Sequence, residues 1–285
     1  MFFPSISIDF IEDRKFTNNQ YLFFISIIRN AIYEKYSWNN KSHWSKVKKE
    51  KILLPTIEGK IDYKFIDNFI KELEAQRIAE LEAYLTATGL KDFNLTKEED
   101  LAIRRLLNDK SLSLNWEKYK IKDLFEGFNG NFDIQKKHIN NKGIFVVSSG
   151  LTNNGIIGKT DVNAKVFNKN TITIDMFGNA FYRNFDYKMV THARVFSMKT
   201  LFYMSIKTGL FLSSSLKFLK EKFNYDYMCT WEKASNEEII LPTKNEKIDF
   251  EFMETLISAV QKLVIKDVVQ WADQKIELTK QIVQQ

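Results

Sequence analysis

The chain has 285 residues, a length that fits one large domain or two ordinary ones, and 44% of the residues are hydrophobic, which is enough for hydrophobic cores. Its single cysteine, Cys229, excludes a disulfide framework and a cysteine-rich zinc site, and it suits a reducing compartment. The formal net charge is +6, and residues 111–244 hold 19 Lys and Arg against 12 Asp and Glu. Such a basic excess suits a polyanion such as DNA, although on charge alone a solvated Lys-rich surface explains it somewhat better.

No signal peptide is expected from the N-terminal sequence. Residues 1–5 lack the basic region and the small-residue cleavage site of a signal peptide. No apolar run approaches the ~20 residues that a membrane-spanning helix needs. We therefore expect a cytoplasmic protein with no membrane partner.

An internal repeat follows. Residues 50–63 return as residues 237–250 at a constant offset of 187, with eight of fourteen positions identical. Average residue usage would leave about one match by chance. Each copy contains Leu-Pro-Thr, and because proline pushes the preceding residue toward an extended state, short strands are predicted at residues 52–54 and 239–241. The repeat indicates two related modules.

A long amphipathic helix is predicted after each Leu-Pro-Thr. Asp62 and Asp249 are the predicted N-caps, and the helices are predicted over residues 62–87, ending near Gly89, and over residues 249–283. Apolar residues recur at spacings of three and four along one face of each. Because the chain must travel out and back between the two helices, the pattern predicts an antiparallel coiled coil.

The region between the helices changes in character. Thr96 and Glu99 predict a capping box for a short helix that ends near Leu107. Seven of the ten glycines then fall between Gly127 and Gly178, among predicted turns. Strands are predicted at residues 144–147, 156–157 and 171–174, and a helix over residues 200–222. The fold class is therefore predicted to be α+β, with a mixed α/β domain and two long helices.

Similarity between the modules extends upstream of the repeat. Trp44 matches Trp231 and Tyr36 matches a phenylalanine at the same offset of 187. Residues 24–27 resemble residues 203–206 at an offset of 179, which implies eight extra residues in the second copy. This alignment predicts that residues 1–56 are only the end of a module and lack the equivalent of roughly residues 111–185.

Two polar segments are candidates for contact with DNA. Residues 148–159 combine hydroxyls, amides and glycines that can approach phosphates and base edges. Residues 175–187 supply Arg and Asn, which can pair with guanine and adenine, although a hairpin with buried aromatic residues is the alternative. The candidate DNA-binding residues are Lys136, Lys137, His138, Ser148, Ser149, Thr152, Asn153, Asn154, Lys159, Asn179, Tyr182, Arg183, Asn184, Tyr187, His192 and Arg194.

Catalytic signatures are weak. The three histidines lack metal-ligand spacing, and no nucleotide-binding glycine loop occurs. Residues 58–60, Glu-Gly-Lys, offer half of a nuclease metal site, but residues 245–247 of the other copy lack that spacing. A surface turn explains both copies more simply, so no catalytic or metal-binding residue is predicted, and a nuclease is a minor alternative.

The motifs taken in order resemble the specificity subunit of type I restriction–modification systems over nearly the whole chain. The resemblance is carried by the two Leu-Pro-Thr junctions and by residues 83–90, 116–125, 147–158 and 174–181. It implies a non-catalytic subunit in which two target recognition domains each read half of a split double-stranded DNA site. It also implies that an antiparallel pair of helices spaces the two domains.

The resemblance further implies partners. Methyltransferase subunits would dock on the chain, and a restriction subunit would join the complex. S-adenosylmethionine, ATP and Mg²⁺ are expected only in those partner subunits, with no cofactor in this chain. The competing interpretation is a truncated scaffold that binds methyltransferase subunits through its coiled coil without reading DNA.

The resemblance also divides the chain into four parts. These are a partial recognition domain over residues 1–56, a first spacer helix and linker over 57–110, a complete recognition domain over 111–244 and a second spacer helix over 245–285. A monomer would then read one half-site. The chain is either a truncated or rearranged gene product, or a split subunit that forms a homodimer to restore two recognition domains.

Overall fold

A computed structural model of the chain describes residues 15–37, 39–107 and 114–283. The beginning of the predicted partial domain and the predicted boundary near residue 110 lie outside these described residues. The chain divides into two compact units, which are unit 1 (residues 1–91 and 267–285) and unit 2 (residues 92–266). No helix in the described part of the chain is both long enough and apolar enough to cross a membrane.

Unit 1 is mainly helical. Its elements are α1 (Asn18–Ile32), α2 (Trp44–Val47), β1 (Thr56–Ile57), β2 (Lys60–Ile61), α3 (Tyr63–Ala87) and the C-terminal half of α9 (Phe250–Val283). β1 and β2 form an antiparallel hairpin whose turn places Glu58 and Gly59 at positive φ, so these residues form a surface turn as predicted. The predicted cap of α3 is confirmed, because Asp62 accepts a 2.9 Å hydrogen bond from the N–H of Phe65.

Unit 2 is the mixed domain. Its elements are α4 (Lys97–Leu106), β3 (Asn115–Lys120), α5 (Ile121–Leu124), β4 (Phe125–Asn129), β5 (Ile144–Val147), β6 (Ile156–Thr160), β7 (Thr171–Ile174), β8 (Ala180–Arg183), β9 (Tyr187–Met189), β10 (Phe196–Thr200), α6 (Ile206–Ser215), α7 (Leu219–Lys222), α8 (Trp231–Ala234), β11 (Glu238–Lys244), β12 (Lys247–Ile248) and the first half of α9. The strands form three sheets with the orders β12-β11-β3, β4-β10-β7-β8 and β6-β5-β9. Neighbouring strands are antiparallel except for the parallel pair β5 and β9.

Two hydrophobic clusters fill unit 2. The main cluster joins side chains of β7, β10, α6, β11 and the beginning of α9. The second cluster surrounds β5 and β9 and includes Ile134, Val190 and Val195. The side chains of Thr171, Thr173 and Ser197 are buried and belong to neither cluster, so β7 and β10 also carry a polar face.

The predicted capping box of α4 is confirmed by the reciprocal hydrogen bonds of Thr96 and Glu99. The predicted continuous helix over residues 200–222 is wrong in two places. β10 extends to Thr200, and α6 begins only after Ser205, whose hydroxyl accepts from the N–H of Thr208. A 3₁₀ turn at Leu216–Phe218 then separates α6 from α7.

The repeat is visible as repeated local structure. In both copies an aspartate that caps the long helix donates its backbone N–H to the proline carbonyl at 2.9 Å, Asp62 to Pro55 and Asp249 to Pro242. The predicted strand at residues 239–241 is confirmed as part of β11. The predicted strand at residues 52–54 is wrong, because no described residue provides this segment with the neighbour that β3 provides for β11.

The alignment at an offset of 179 is also wrong. It pairs Ser26, inside α1, with Ser205, which caps α6. By structural position, Thr17 is instead the equivalent of Ser205, because each residue is the N-cap of its helix. Thr17 donates to Asp67 of α3 at 2.5 Å, and Ser205 donates to Glu254 of α9 at 2.5 Å. The carboxylates match at an offset of 187 and the caps at 188, so the extra eight residues are not needed.

Candidate nucleic-acid interface

Three loops of unit 2 are tied together by hydrogen bonds at one edge of the second cluster. The Asp133 carboxylate lies 2.5 Å from Nδ1 of His192 and accepts from the hydroxyl of Thr191 at 3.2 Å. The hydroxyl of Ser149 donates to the carbonyl of Ala193 at 2.7 Å. Residues 130–138, 148–155 and 191–194 therefore form one continuous loop surface, which we call the recognition surface.

Seven of the sequence-predicted residues are exposed on this surface. They are Lys136, Lys137, Thr152, Asn153, Asn154, His192 and Arg194. Asn153 and Asn154 have φ of 48° and 51°, a left-handed conformation that asparagine tolerates better than most residues. Both asparagines are exposed beside Thr152, and the amide of Asn153 also donates to the carbonyl of Ile156 at 3.3 Å. This tip therefore offers both donors and acceptors.

Other predicted residues lie at the margin of the surface and are half-buried. Nδ1 of His138 accepts the N–H of Gln135 at 3.0 Å, and the ammonium of Lys159 lies 4.7 Å from the ring centre of Phe145. The N–H of Ser148 donates to the carbonyl of Gly155 at 2.8 Å and closes the loop. These half-buried residues stabilise the loops and are less accessible to a ligand than the seven exposed residues.

Tyr182 and Asn184 lie apart from the three loops. The hydroxyl of Tyr182 donates to Oδ1 of Asn170 at 2.7 Å, and its ring packs on Gly209 of α6. Burial raises the pKa of this phenol. Asn184 is exposed in the turn between β8 and β9. The hydrogen bonds that join the recognition surface include neither residue.

Arg183 requires a correction, because its side chain is inside the domain. It is 2% exposed, and Nε donates to the hydroxyl of Thr173 while Nη2 donates to the carbonyl of Asn154, both at 2.8 Å. Burial lowers its pKa to about 10, which leaves the guanidinium charged at neutral pH. Arg183 is therefore unavailable to a guanine and instead fixes the carbonyl at the tip of the 148–155 loop.

The prediction that Asn179 and Tyr187 contact DNA is also wrong, because both side chains are buried. Asn179 is buried and donates to Asp175 at 2.9 Å, and the same carboxylate accepts the N–H of Gly150 at 2.9 Å. The phenol of Tyr187 is fully buried between two hydroxyls, at 2.8 Å from Thr171 and 2.6 Å from Ser197. Burial raises the pKa of this phenol, so the group stays neutral.

Sequence reasoning missed the two carboxylates that organise the surface. Asp133 joins the first loop to the third, and Asp175 anchors the start of the second loop through Gly150. A local signal exists for Asp175, because the sequence Asp-Met-Phe-Gly-Asn at residues 175–179 is typical of a turn in which the carboxylate accepts nearby N–H groups. The bonds to Gly150 and His192 are long-range, and no local pattern predicts them.

A basic cleft in unit 2 was also not predicted from the sequence. It has a volume of about 430 Å³ and is lined by Lys165, Lys169 and Lys199 together with Tyr203, with no Asp or Glu among its lining residues. Tyr203 is 87% exposed. Cationic and aromatic groups together suit the phosphates and bases of a nucleic acid. Among the described residues, no group of three or more His, Cys, Asp or Glu side chains could hold a metal ion.

Comparison with known proteins gives one family. Residues 5–83 and 113–270 match the model described as the type I restriction modification DNA specificity domain. A relative from Heyndrickxia coagulans, the specificity subunit S.BcgI of a type II restriction enzyme, is 24% identical over 252 residues. The match covers 87% of this chain and 68% of that protein.

Solved structures give similar neighbours. The S subunit of a type I restriction–modification system from M. genitalium has a TM-score of 0.44 and 11% identity, over 78% of this chain and 59% of that one. The HsdS subunit from Thermoanaerobacter tengcongensis has a TM-score of 0.40 and 13% identity, over 88% of this chain and 62% of that one. The chain thus spans about three fifths of the length of these two structures.

Proposed function

The chain belongs to the type I restriction modification DNA specificity family, and we propose that it is the sequence-reading subunit of a restriction–modification complex. The observation that carries this proposal is the recognition surface, where exposed Lys, Arg, Thr and Asn side chains stand on loops tied together by Asp133 and Asp175. Rigid loops with convergent polar groups can discriminate base sequences, because their donors and acceptors are held in place before DNA binds.

The exposed residues divide by chemistry. Lys136, Lys137 and Arg194 carry positive charge toward solvent and suit backbone phosphates, which fix position but carry no sequence information. Asn153 and Asn154 carry amides that can pair with base edges. We assign sequence readout to the 148–155 loop and phosphate contact to the flanking loops, so that unit 2 reads one half-site.

The two long helices would act as the spacer, paired as an antiparallel coiled coil. Within unit 1, Glu74 of α3 pairs with Lys275 of α9 at 2.7 Å. Lys91 contacts Glu82 of α3 and lies 3.9 Å from Asp273 of α9. Lys91, which follows the end of α3, reaches an earlier position on α9 than Glu74 does, and this order supports an antiparallel arrangement.

Methyltransferase subunits would dock on this helical part and supply catalysis. Within unit 1, α9 exposes several apolar side chains, with Leu278 55%, Trp271 45% and Val268 39% exposed. Apolar groups of this size on one helix favour burial against a partner protein. S-adenosylmethionine, ATP and Mg²⁺ would then belong to the methyltransferase and restriction subunits.

The proposal is tested with the chain bound to its methyltransferase subunit. The DNA probe carries the sequence that methylome sequencing finds modified in cells with the system, and a scrambled duplex is the comparison. We expect Asn153→Ala to cost about 1–3 kcal/mol on the cognate duplex alone, since base contacts carry specificity. Lys136→Ala should weaken binding to both duplexes and lower the salt dependence, as loss of one phosphate contact does.

Lys217→Ala is the matched control, because it removes one exposed charge from the 3₁₀ turn after α6 and away from the recognition surface. It should leave both affinities unchanged. Binding that ignores sequence and responds only to salt would instead support the scaffold interpretation. Metal-dependent cleavage of DNA by the isolated chain would support the nuclease interpretation.

Arg183 separates a positioning role from direct contact. Arg183→Ala removes both of its 2.8 Å hydrogen bonds and leaves the Asn154 carbonyl without that donor. We expect it to lower the melting temperature and the cognate affinity together, because the loop loses its internal support. Asn153→Ala should lower the cognate affinity with a smaller change in melting temperature, which comes from the positive φ and from the lost 3.3 Å bond to the carbonyl of Ile156. Loss of affinity in Arg183→Ala at an unchanged melting temperature would contradict the positioning role.

A further inference from the structure

The two copies of the repeat differ in one neighbour. In unit 2, β11 lies between β12 and β3, and six residues of β11 pair with six of β3 in antiparallel register from Glu238↔Lys120 to Thr243↔Asn115. This pairing continues into α5, where the N–H of Ile121 donates to the carbonyl of Glu237 at 3.0 Å. The corresponding segment of unit 1, residues 51–56, has a hairpin partner through β1 and β2 but no counterpart of β3 in the described structure.

The unpaired segment is exposed where its counterpart is buried. Ile52 is 36% exposed, whereas Ile239 is 0% exposed at the matching position. Leu53 is 93% exposed, and its counterpart Ile240 is 50% exposed on the outer face of β11. Within the described part of the chain, no backbone hydrogen bond joins residues 52–54 to another strand. An edge of this kind accepts another strand readily.

Trp44 gives a second, independent sign of the same gap. Its counterpart Trp231 packs on β4 so closely that an added Cβ at Gly127 would lie 2.2 Å from the indole. Trp231 also meets the ring of Phe196 at 6.2 Å. Trp44 begins α2 as Trp231 begins α8, yet it is 53% exposed. The surface that would cover Trp44 is therefore a β4-like strand with a glycine at the contact.

We propose that residues 44–56 are a docking site for a polypeptide segment that resembles residues 115–129, a strand, a short turn of helix and a second strand. The first strand would pair with residues 51–56 in the register of β3 on β11. The second would cover Trp44 as Gly127 covers Trp231. This proposal rests on the internal repeat and is independent of DNA recognition.

Charge specifies the occupant further and argues against a second copy of this chain. In unit 2, Glu238 pairs with Lys118 of β3 at 3.2 Å. Unit 1 carries Lys51 at the position of Glu238, so a docked strand should present an acidic residue where β3 has Lys118. The β3 strand of another copy would place lysine against lysine, and it is already paired with its own β11.

The test uses the full chain and a synthetic peptide of residues 114–129 that carries Lys118→Glu. Hydrogen exchange measured by mass spectrometry should slow at least about tenfold at residues 51–56 when the peptide is saturating, because new strand hydrogen bonds protect those amides. Exchange at residues 238–244 should stay unchanged. The peptide with native Lys118 should bind more weakly, by up to about fivefold, since an exposed ion pair contributes little.

Two matched variants of the chain locate the site. Ile52→Asp places a charge on the face that docking would bury and should weaken peptide binding at least about tenfold, whereas Leu53→Asp changes the outer face and should not. Three results would overturn the proposal. They are no protection at saturating peptide, protection of residues 238–244 instead, or peptide-free protection of residues 51–56 that grows with protein concentration and so identifies a second copy as the occupant.

Discussion

The two copies of the repeat show which structural features follow from local sequence and which require a neighbour. Each copy has a short helix that begins at a tryptophan, a hairpin turn at positive φ and an aspartate that caps a long helix. Yet β11 is a seven-residue strand, whereas residues 51–55 form no strand. Caps and turns satisfy nearby backbone groups, but a strand needs a partner across the sheet.

The long-range contacts are duplicated as well. Lys35 forms an ion pair with Glu50, and Lys222 forms one with Glu237, both pairs matching at an offset of 187. Asp67 and Glu254 each accept from the hydroxyl that caps a helix packed beside them. The unpaired segment in unit 1 is therefore part of an otherwise intact module end, which makes the matched positions direct experimental controls for one another.

The largest difference is expected at the two matched isoleucines. Ile239→Ala should lower the free energy of unfolding by about 2–5 kcal/mol, because it removes a fully buried side chain from the main cluster. Ile52→Ala should lower it by less than about 1 kcal/mol, since its side chain is already partly in water. Urea denaturation of both variants beside the parent chain measures the two values.

Equal costs at the two positions would contradict the comparison. They would mean that residues 51–56 are covered in solution by something other than the described part of this chain. Repeating the pair of measurements with the docking peptide distinguishes the cases, because docking should raise the cost of Ile52→Ala alone.

The helix caps should behave alike in the two copies. Asp62→Ala and Asp249→Ala each remove one 2.9 Å hydrogen bond from a carboxylate to a helix N–H, and each should cost about 1 kcal/mol. Asp249→Asn and Asp62→Asn retain an acceptor and should cost much less. A loss at one aspartate only would show that the cap depends on its surroundings, against the view that it is a local feature. Thermal denaturation of the four variants provides the measurement.

Much of the fold could be predicted from sequence for the same reason. The capping box of Thr96 and Glu99, the N-cap Asp62 and the long helices depend on residues within one or two turns of each other. Strand formation at residues 52–54 could not be predicted in this way, because it requires a partner strand that is not adjacent in sequence. The helix predicted over residues 200–222 is wrong at its start for two reasons. The local cap at Ser205 sets the first residue of α6, and residues 196–200 form β10 because they pair with β4 and β7 across the sheet.

The recognition surface was predicted in outline and corrected in detail. Residue type indicated amides and cations that the structure places on three neighbouring loops, but it does not distinguish an exposed side chain from a buried one. Arg183 has a donor set suited to guanine, yet it uses those donors on Thr173 and Asn154. Burial of an arginine depends on where the second cluster and the 148–155 loop meet, which no local pattern specifies.

The smallest expected effect concerns a single hydroxyl that the two copies do not share. Tyr36 donates to Glu50 at 3.0 Å, whereas its counterpart is Phe223. The hydrogen bond from Lys35, followed by that from Tyr36, lowers the pKa of Glu50 below its ordinary value. A carboxylate whose pKa is lowered by folding contributes stability above its unfolded pKa, and this contribution is lost as the pH falls through the folded pKa. Tyr36→Phe should therefore raise the pKa of Glu50 and reduce that contribution, as carboxyl NMR titration and acid denaturation can measure.

Tyr33→Phe is the control, because it removes a phenol that is 64% exposed. An unchanged Glu50 pKa in Tyr36→Phe would leave Lys35 alone as the cause of the shift and would make the ion pairs of the two copies equivalent.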